Sequence, residues 1–373
     1  MRVLHSLDSL NRGGAEMLEL DVCRNASANG LDLTFVATGG GDLEPEFRGS
    51  GVEFLRLQRR FPLDPALVWQ LRRIIRQRKI QVVHSQQAVD ALHLYLASRG
   101  LGTKCVLSFQ GLSPGKKNEM ALKFLLPRMD ARIVVSEEMR NSLAREQGID
   151  TSAGAGVEFV TLYNGVDFKR LQASDGGRLR EELGLAQDTP LAGMVGNFYP
   201  GRPKDHFTVC RALPQVFECV PGAHLVFAGG RSETAPEVFD ECVQFCRERG
   251  ISWRVHFLGK RGDVAEVLSA LDVFVLASVR EGLPIAVIEA MGMGVPAVLS
   301  NIGALREISG DGKYAVLFRT SDAGDLAEKI IALLQNRAQR LRLSAEAKDW
   351  AVSRFGIARH IRNLLELYAR LGA

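Results

Sequence analysis

The stretch "VFVLASVREGLPIAVIEAMGMGVPAVLS", residues 273–300, decides how the rest of the chain is read. Two short apolar runs, "VFVLAS" and "AVLS", flank a segment that opens at Pro284. Proline suits the first position of a helix, and Gly292 or Gly294 suits its end. Strand, helix and strand in succession make a βαβ unit, and strands this uniformly apolar belong to parallel sheets covered on both faces. Glu281 and Glu289 interrupt the pattern, because an unpaired carboxylate is costly to bury. Glu281 falls in the loop before the helix and Glu289 inside it, so the two do not share a helical face.

The same rhythm runs outward in both directions. "RVLHSL", "LTFVAT", "VEFLRL", "VVHS", "CVLSF", "RIVVS" and "EFVTLY" form a first series of strands. A second, "LAGMVGN", "HLVFAGG", "RVHFLG", "VFVLAS", "AVLS" and "YAVLF", begins after a polar, glycine-rich passage. With 373 residues the chain exceeds one ordinary domain of about 100–200 residues. The reading is two Rossmann-like, doubly wound α/β domains with parallel sheets, facing across a cleft and joined near residues 165–190. Ligands of such sheets bind beyond the carboxyl ends of the strands.

Composition narrows the class further. Hydrophobic residues at 46% and charged residues at 24% are those of an ordinary globular protein. The six cysteines include no Cys-x-x-Cys pair, and Met1 leads straight into a strand, so a reducing cytoplasm is the expected location. Cys242 and Cys246, one helical turn apart, could share a metal with His256, but buried thiols are the plainer reading. No run approaches the ~18–20 apolar residues that span a bilayer.

The net charge is only +4, yet Arg56, Arg59, Arg60, Arg72, Arg73, Arg76, Arg78 and Lys79 crowd around one acid, Asp64. Asp64 and Pro65 suit the start of a helix whose apolar stripe is Leu67, Leu71, Ile74 and Ile75. Its basic face reads either as solvated surface or as a peripheral contact with anionic lipid. No nucleic-acid-binding motif is visible.

The spacing Glu281 to Glu289 is the E-x7-E signature of retaining glycosyltransferases, and its context resembles glycosyltransferase family 4, which has the two-domain GT-B fold. "NRGGAE" (11–16), "LYNGVD" (162–167), "MVGNFYPGRPKDH" (194–206), "FLGKRGDV" (257–264), "ALDVFVLAS" and "NIGALREI" (301–308) fall in that family's order. The resemblance covers nearly the whole chain. It implies an N-terminal acceptor-binding domain, residues 1–165, to which the last helix, 356–373, returns as a hinge element. Residues 166–355 would be the nucleotide-sugar-binding domain.

The resemblance also implies roles. Glu289 would accept ribose hydroxyls, and Glu281 with the amides of Gly282 and Leu283 would hold the donor sugar. Lys204 and Arg202 would stabilise the leaving diphosphate, Arg202 standing in for the arginine that relatives carry where this chain has Asn197. Gly13 and Gly14 would let the backbone approach the diphosphate, and the base, uracil by preference, would lie near Arg261 and Val264. Gln110 replaces a histidine common in relatives and cannot titrate. His84, at a strand end, is the other catalytic candidate, with a buried structural histidine as its alternative.

The resemblance thus implies a metal-independent, retaining hexosyltransferase with no cofactor beyond its co-substrate, a UDP-sugar by the commonest family choice. Its acceptor would be a glycan or lipid-linked glycan of polysaccharide or cell-envelope synthesis, met by variable loops that include Lys116 and Lys117. Gln110 and Asn197 also admit a second reading, a catalytically impaired sugar-nucleotide or glycan-binding subunit. A nicotinamide dehydrogenase is disfavoured, since no Gly-x-Gly-x-x-Gly follows a strand.

Overall fold

The computed structural model describes residues 1–111, 116–147, 158–171 and 175–372. The chain divides into two units, Met1–Val166 with Phe355–Ala373, and Asp167–Arg354.

The first unit is built on a seven-stranded sheet of β1 (Arg2–Leu7), β2 (Asp32–Ala37), β3 (Glu53–Arg56), β4 (Val82–Ser85), β5 (Lys104–Phe109), β6 (Ala131–Val134) and β7 (Glu158–Thr161). Their order is β3-β2-β1-β4-β5-β6-β7, and every pair is parallel. The second carries a six-stranded sheet of β8 (Leu191–Val195), β9 (His224–Ala228), β10 (Val255–Gly259), β11 (Val273–Leu276), β12 (Ala297–Ser300) and β13 (Val316–Phe318). It runs β10-β9-β8-β11-β12-β13, again all parallel. Strands β4, β11 and β12 are buried along their whole length, which explains why β11 is wholly apolar and why β4 and β12 carry polar residues only in their carboxyl-terminal halves.

In each sheet the chain winds outward from the first strand in one direction, returns, and winds outward in the other. The switch points therefore lie between β1 and β4 and between β8 and β11. Loops leaving the carboxyl ends of those strands diverge and open a crevice.

Helix ends follow the local chemistry. Asp64 caps the helix Pro65–Arg78 by accepting from the amides of Ala66 and Leu67, and the stripe Leu67, Leu71, Ile74 and Ile75 is buried. Pro284 is the N-cap of the helix Ile285–Gly292, one position before the place expected for it. The C-terminal helix Ile357–Arg370 belongs to the first unit and buries Ile361, Leu364, Leu367 and Tyr368 there. Among the described residues, no helix is long and apolar enough to cross a membrane.

Candidate active site

The second unit's switch point is built by two loops, one after β8 and one after β11. They are stitched together by backbone: the Asp205 amide donates to the Ala277 carbonyl and the Val279 amide to the Pro203 carbonyl, both at 2.9 Å. Lys204 and Ser278 form a bridge between the same segments. The Ser278 hydroxyl, fully buried, lies 2.6 Å from the Pro203 carbonyl and 2.9 Å from Glu281 Oε1. Lys204 Nζ meets that carboxylate oxygen at 2.6 Å, with the two side chains 16% and 12% exposed.

Two further groups fix the lysine. Gly196, just beyond β8, lies so close to its stem that a Cβ there would stand 2.5 Å from Lys204 Cδ. His206 is buried and stacks on Phe198 at 3.8 Å between ring centroids. Its Nε2 donates to the Gly196 carbonyl at 3.0 Å, which ties the two ends of the loop together. Burial, foremost, lowers the His206 pKa to about 4, so the ring is neutral near pH 7.

Glu289 is buried one turn into the helix Ile285–Gly292 and pairs with the Arg170 guanidinium. The approach depends on Gly292, where a Cβ would come within 1.9 Å of the Phe168 ring in the short turn Phe168–Leu171 that carries Arg170. Each glutamate thus has a protein cation. Lys204 and Arg170 thus partner the two carboxylates within the fold, and removing either cation would strand a charge.

The other expected donor-site residues are placed as follows. Arg202 has a left-handed backbone, φ 52°, and pairs at 2.5 Å with Glu241, both side chains substantially exposed. It does not join Lys204 at Glu281. Asn197 Oδ1 accepts from the Gly230 amide at 2.8 Å and its Nδ2 donates to the Tyr199 hydroxyl. Arg261 is held bidentately by Glu182 and also by Asp263, which raise its pKa and occupy its charge. Val264 opens the helix Val264–Ser269, and Gly282 and Leu283 are buried just ahead of Pro284. Cys242 and Cys246 pack near Cys210, whose thiol pKa their hydrogen bonds and burial raise, while His256 Nε2 meets His224 Nδ1 at 3.0 Å. The described residues hold no cluster of three or more metal-ligating side chains.

In the first unit, Gly13 caps the helix Gly14–Asn25 in extended conformation, and Glu16 folds back so that a Gly13 Cβ would stand 2.6 Å from its Oε2. Burial, aided by Asp8 and Asp42, raises the Glu16 pKa to about 7. Gln110, half-buried beyond β5, donates through Nε2 to Gln86 Oε1 at 2.7 Å. His84 is corrected to a structural residue. It is 2% exposed, its Nδ1 meets the Tyr368 hydroxyl at 2.6 Å, its Nε2 meets Ser108 at 2.7 Å, and burial keeps it neutral. The side chains of Lys116 and Lys117 lie outside the described residues.

Known proteins match both halves of the chain. The family model described as Glycosyltransferase Family 4 matches residues 12–170, and that described as Glycosyl transferases group 1 matches residues 189–336. The chain is a family 4-type glycosyltransferase. It is 30% identical over 255 residues to the D-inositol 3-phosphate glycosyltransferase of Nocardia farcinica, a match covering 67% of this chain and 55% of that enzyme. It is 23% identical to the UDP-Gal:alpha-D-GlcNAc-diphosphoundecaprenol alpha-1,3-galactosyltransferase of Escherichia coli, over 80% of this chain and 77% of that one. The crystal structure of Anabaena Alr3699/HepE in complex with UDP and glucose superposes with a TM-score of 0.83 at 19% identity, covering 99% of both chains. This glycosyltransferase therefore has the GT-B fold.

Sequence reading missed three groups at the candidate site: Arg170, Ser278 and His206. Arg170 is 119 positions from the carboxylate it neutralises, a pairing that no local spacing announces. Ser278 and His206 stand inside quoted motifs, but their roles come from tertiary contacts between the two loops. A polar residue next to a wholly apolar strand was the available signal for Ser278.

Proposed function

We propose that the protein transfers a hexosyl group from a UDP-sugar to a glycan or lipid-linked glycan, with retention and without a metal. The observation carrying the proposal is the Lys204–Glu281 pair, held by backbone bonds at the switch point between β8 and β11. The UDP and glucose of the Anabaena complex and the UDP-Gal donor named for the Escherichia coli relative support the donor class. That relative's diphosphoundecaprenol-linked acceptor supports the acceptor class.

In this reading Lys204 faces the diphosphate and stabilises the charge that grows as the anomeric C–O bond breaks. Glu281 accepts hydroxyls of the sugar, which positions the ring, and Glu289 accepts those of the ribose. The acceptor oxygen attacks from the face that the leaving group vacates, and its proton passes to a phosphate oxygen. Positioning then does the work of a protein base, consistent with a non-titrating Gln110.

The test is UDP release from UDP-glucose, alone and with a panel of glycan acceptors, for wild type, Glu281→Ala and Lys204→Ala. Each variant should lose about 10²-fold or more in kcat. Full activity in Glu281→Ala would overturn the site assignment. Tight UDP-glucose binding without turnover by any wild-type preparation would favour the binding-subunit reading instead.

A further inference from the structure

Gln110 ends a buried hydrogen-bonded chain that determines which of its two polar atoms faces a ligand. Glu19, on the helix Gly14–Asn25, is 1% exposed. One carboxylate oxygen meets His5 Nδ1 at 2.8 Å and the other takes the amide nitrogen of Gln86. Gln86 Oε1 in turn takes Gln110 Nε2 at 2.7 Å. A second branch continues from His5 Nε2 to the Tyr368 hydroxyl at 2.9 Å, and from there through His84 to Ser108.

The direction of the glutamine bonds follows from the carboxylate at the root. A carboxylate is an acceptor at both oxygens, so Gln86 must turn its NH2 toward Glu19. Its carbonyl oxygen then faces Gln110, which must answer with NH2. Gln110 Oε1 is left pointing the other way, with no protein partner among the described residues. His5 donates from Nδ1 to Glu19, and its Nε2, the Tyr368 hydroxyl, His84 and Ser108 continue the contact in turn. Both branches meet at Glu19.

We infer that Glu19 and Gln86 are positioning residues that lock Gln110 with its carbonyl oxygen outward, as an acceptor for a substrate hydroxyl. This rests on the sugar-transfer reading above and deepens it: the group recognised at Gln110 is a neutral hydroxyl, because an outward carbonyl dipole opposes a phosphate or carboxylate. An unlocked glutamine would present either end.

The arrangement is tested in two independent ways. With glutamine side chains labelled with 15N, the Gln110 amide signals, assigned by their loss in Gln110→Leu, should shift in both Gln86→Leu and Glu19→Gln. Unchanged signals in Glu19→Gln would overturn the relay, whatever the activity. In UDP-glucose turnover, Gln86→Leu should lower kcat about tenfold, the value of one hydrogen bond of about 1.4 kcal/mol, with UDP affinity unchanged. Adding Gln110→Glu to Gln86→Leu should recover most of that loss, since a carboxylate presents an acceptor in either orientation, whereas adding Gln110→Leu should not. Wild-type kcat in Gln86→Leu, or no recovery in the double variant, would overturn the positioning role. If Gln86→Leu fails to fold, Glu19→Gln carries both measurements. Absence of any wild-type turnover would defeat the transferase reading while the amide signals still decide the relay.

Discussion

Gly196 lacks a side chain at the place where the Lys204 stem passes. The backbone there is not left-handed, so alanine meets no φ penalty, and the clash falls on a flexible methylene chain. Gly196→Ala should therefore leave the melting temperature nearly unchanged while pushing the ammonium away from Glu281. A displacement near 1 Å at a charge-stabilising group costs about 10²-fold in rate. The expected outcome is a kcat close to that of Lys204→Ala on a normally folded protein. Undiminished kcat in Gly196→Ala would show that the lysine's placement at Glu281 is not what catalysis uses. At this scale the sequence was half legible. "MVGN" marked the glycine and "PKDH" the lysine, but nothing in the spacing shows that one exists to make room for the other. Arg170 was invisible for the same reason, since its partnership with Glu289 is created only when the Phe168 ring settles against Gly292.

At the scale of the element, the helix Pro65–Arg78 shows how far a local reading reaches. Asp64, Pro65 and the apolar stripe were legible because capping and helical period are local properties. The sorting of its cations was not. Arg72 donates to the carbonyls of Ala97 and Arg99, and Arg78 pairs with Glu53, so both are occupied within the fold. Arg73, Arg76 and Lys79 remain exposed, together with Trp69 at 63% exposure, and Phe61 and Leu63 are exposed in the segment leading into the helix. Trp69, Arg73 and Arg76 stand at i, i+4 and i+7 and share one helical face. Aromatic and cationic side chains together are the composition of a membrane-interface helix. Vesicles containing phosphatidylserine should therefore co-sediment the protein at low salt. Since each cation near such a surface contributes about 1 kcal/mol, Arg73→Glu with Arg76→Glu should weaken binding at least about tenfold. Trp69→Ala should weaken it in a way that added salt does not mimic. No co-sedimentation at low salt would leave the basic face as solvated surface.

For the molecule as a whole, the twice-repeated strand rhythm was enough to read two parallel sheets, because strands covered on both faces are predominantly apolar. Strand order then places a switch point in each sheet, and the polar residues that the rhythm could not explain collect beside them: Lys204, Ser278 and Glu281 in one unit, Gln86 and Gln110 in the other. The second unit brings its own cation to the place where a diphosphate would leave, and the last prediction follows from that. A fixed ammonium and a divalent metal would serve the same phosphate oxygens, so an enzyme that relies on Lys204 should turn over UDP-glucose equally well in EDTA and in added Mg²⁺ or Mn²⁺. UDP at 100 times its dissociation constant should stabilise the protein by about 2.7 kcal/mol, also in EDTA. The thermal shift with UDP should shrink in Lys204→Ala, where the phosphate contact is lost, and persist in Glu281→Ala, where only the sugar contact is. Activity abolished by EDTA and restored by Mn²⁺ would assign the phosphate charge to a metal and reduce Lys204 to the ion-pair partner of Glu281.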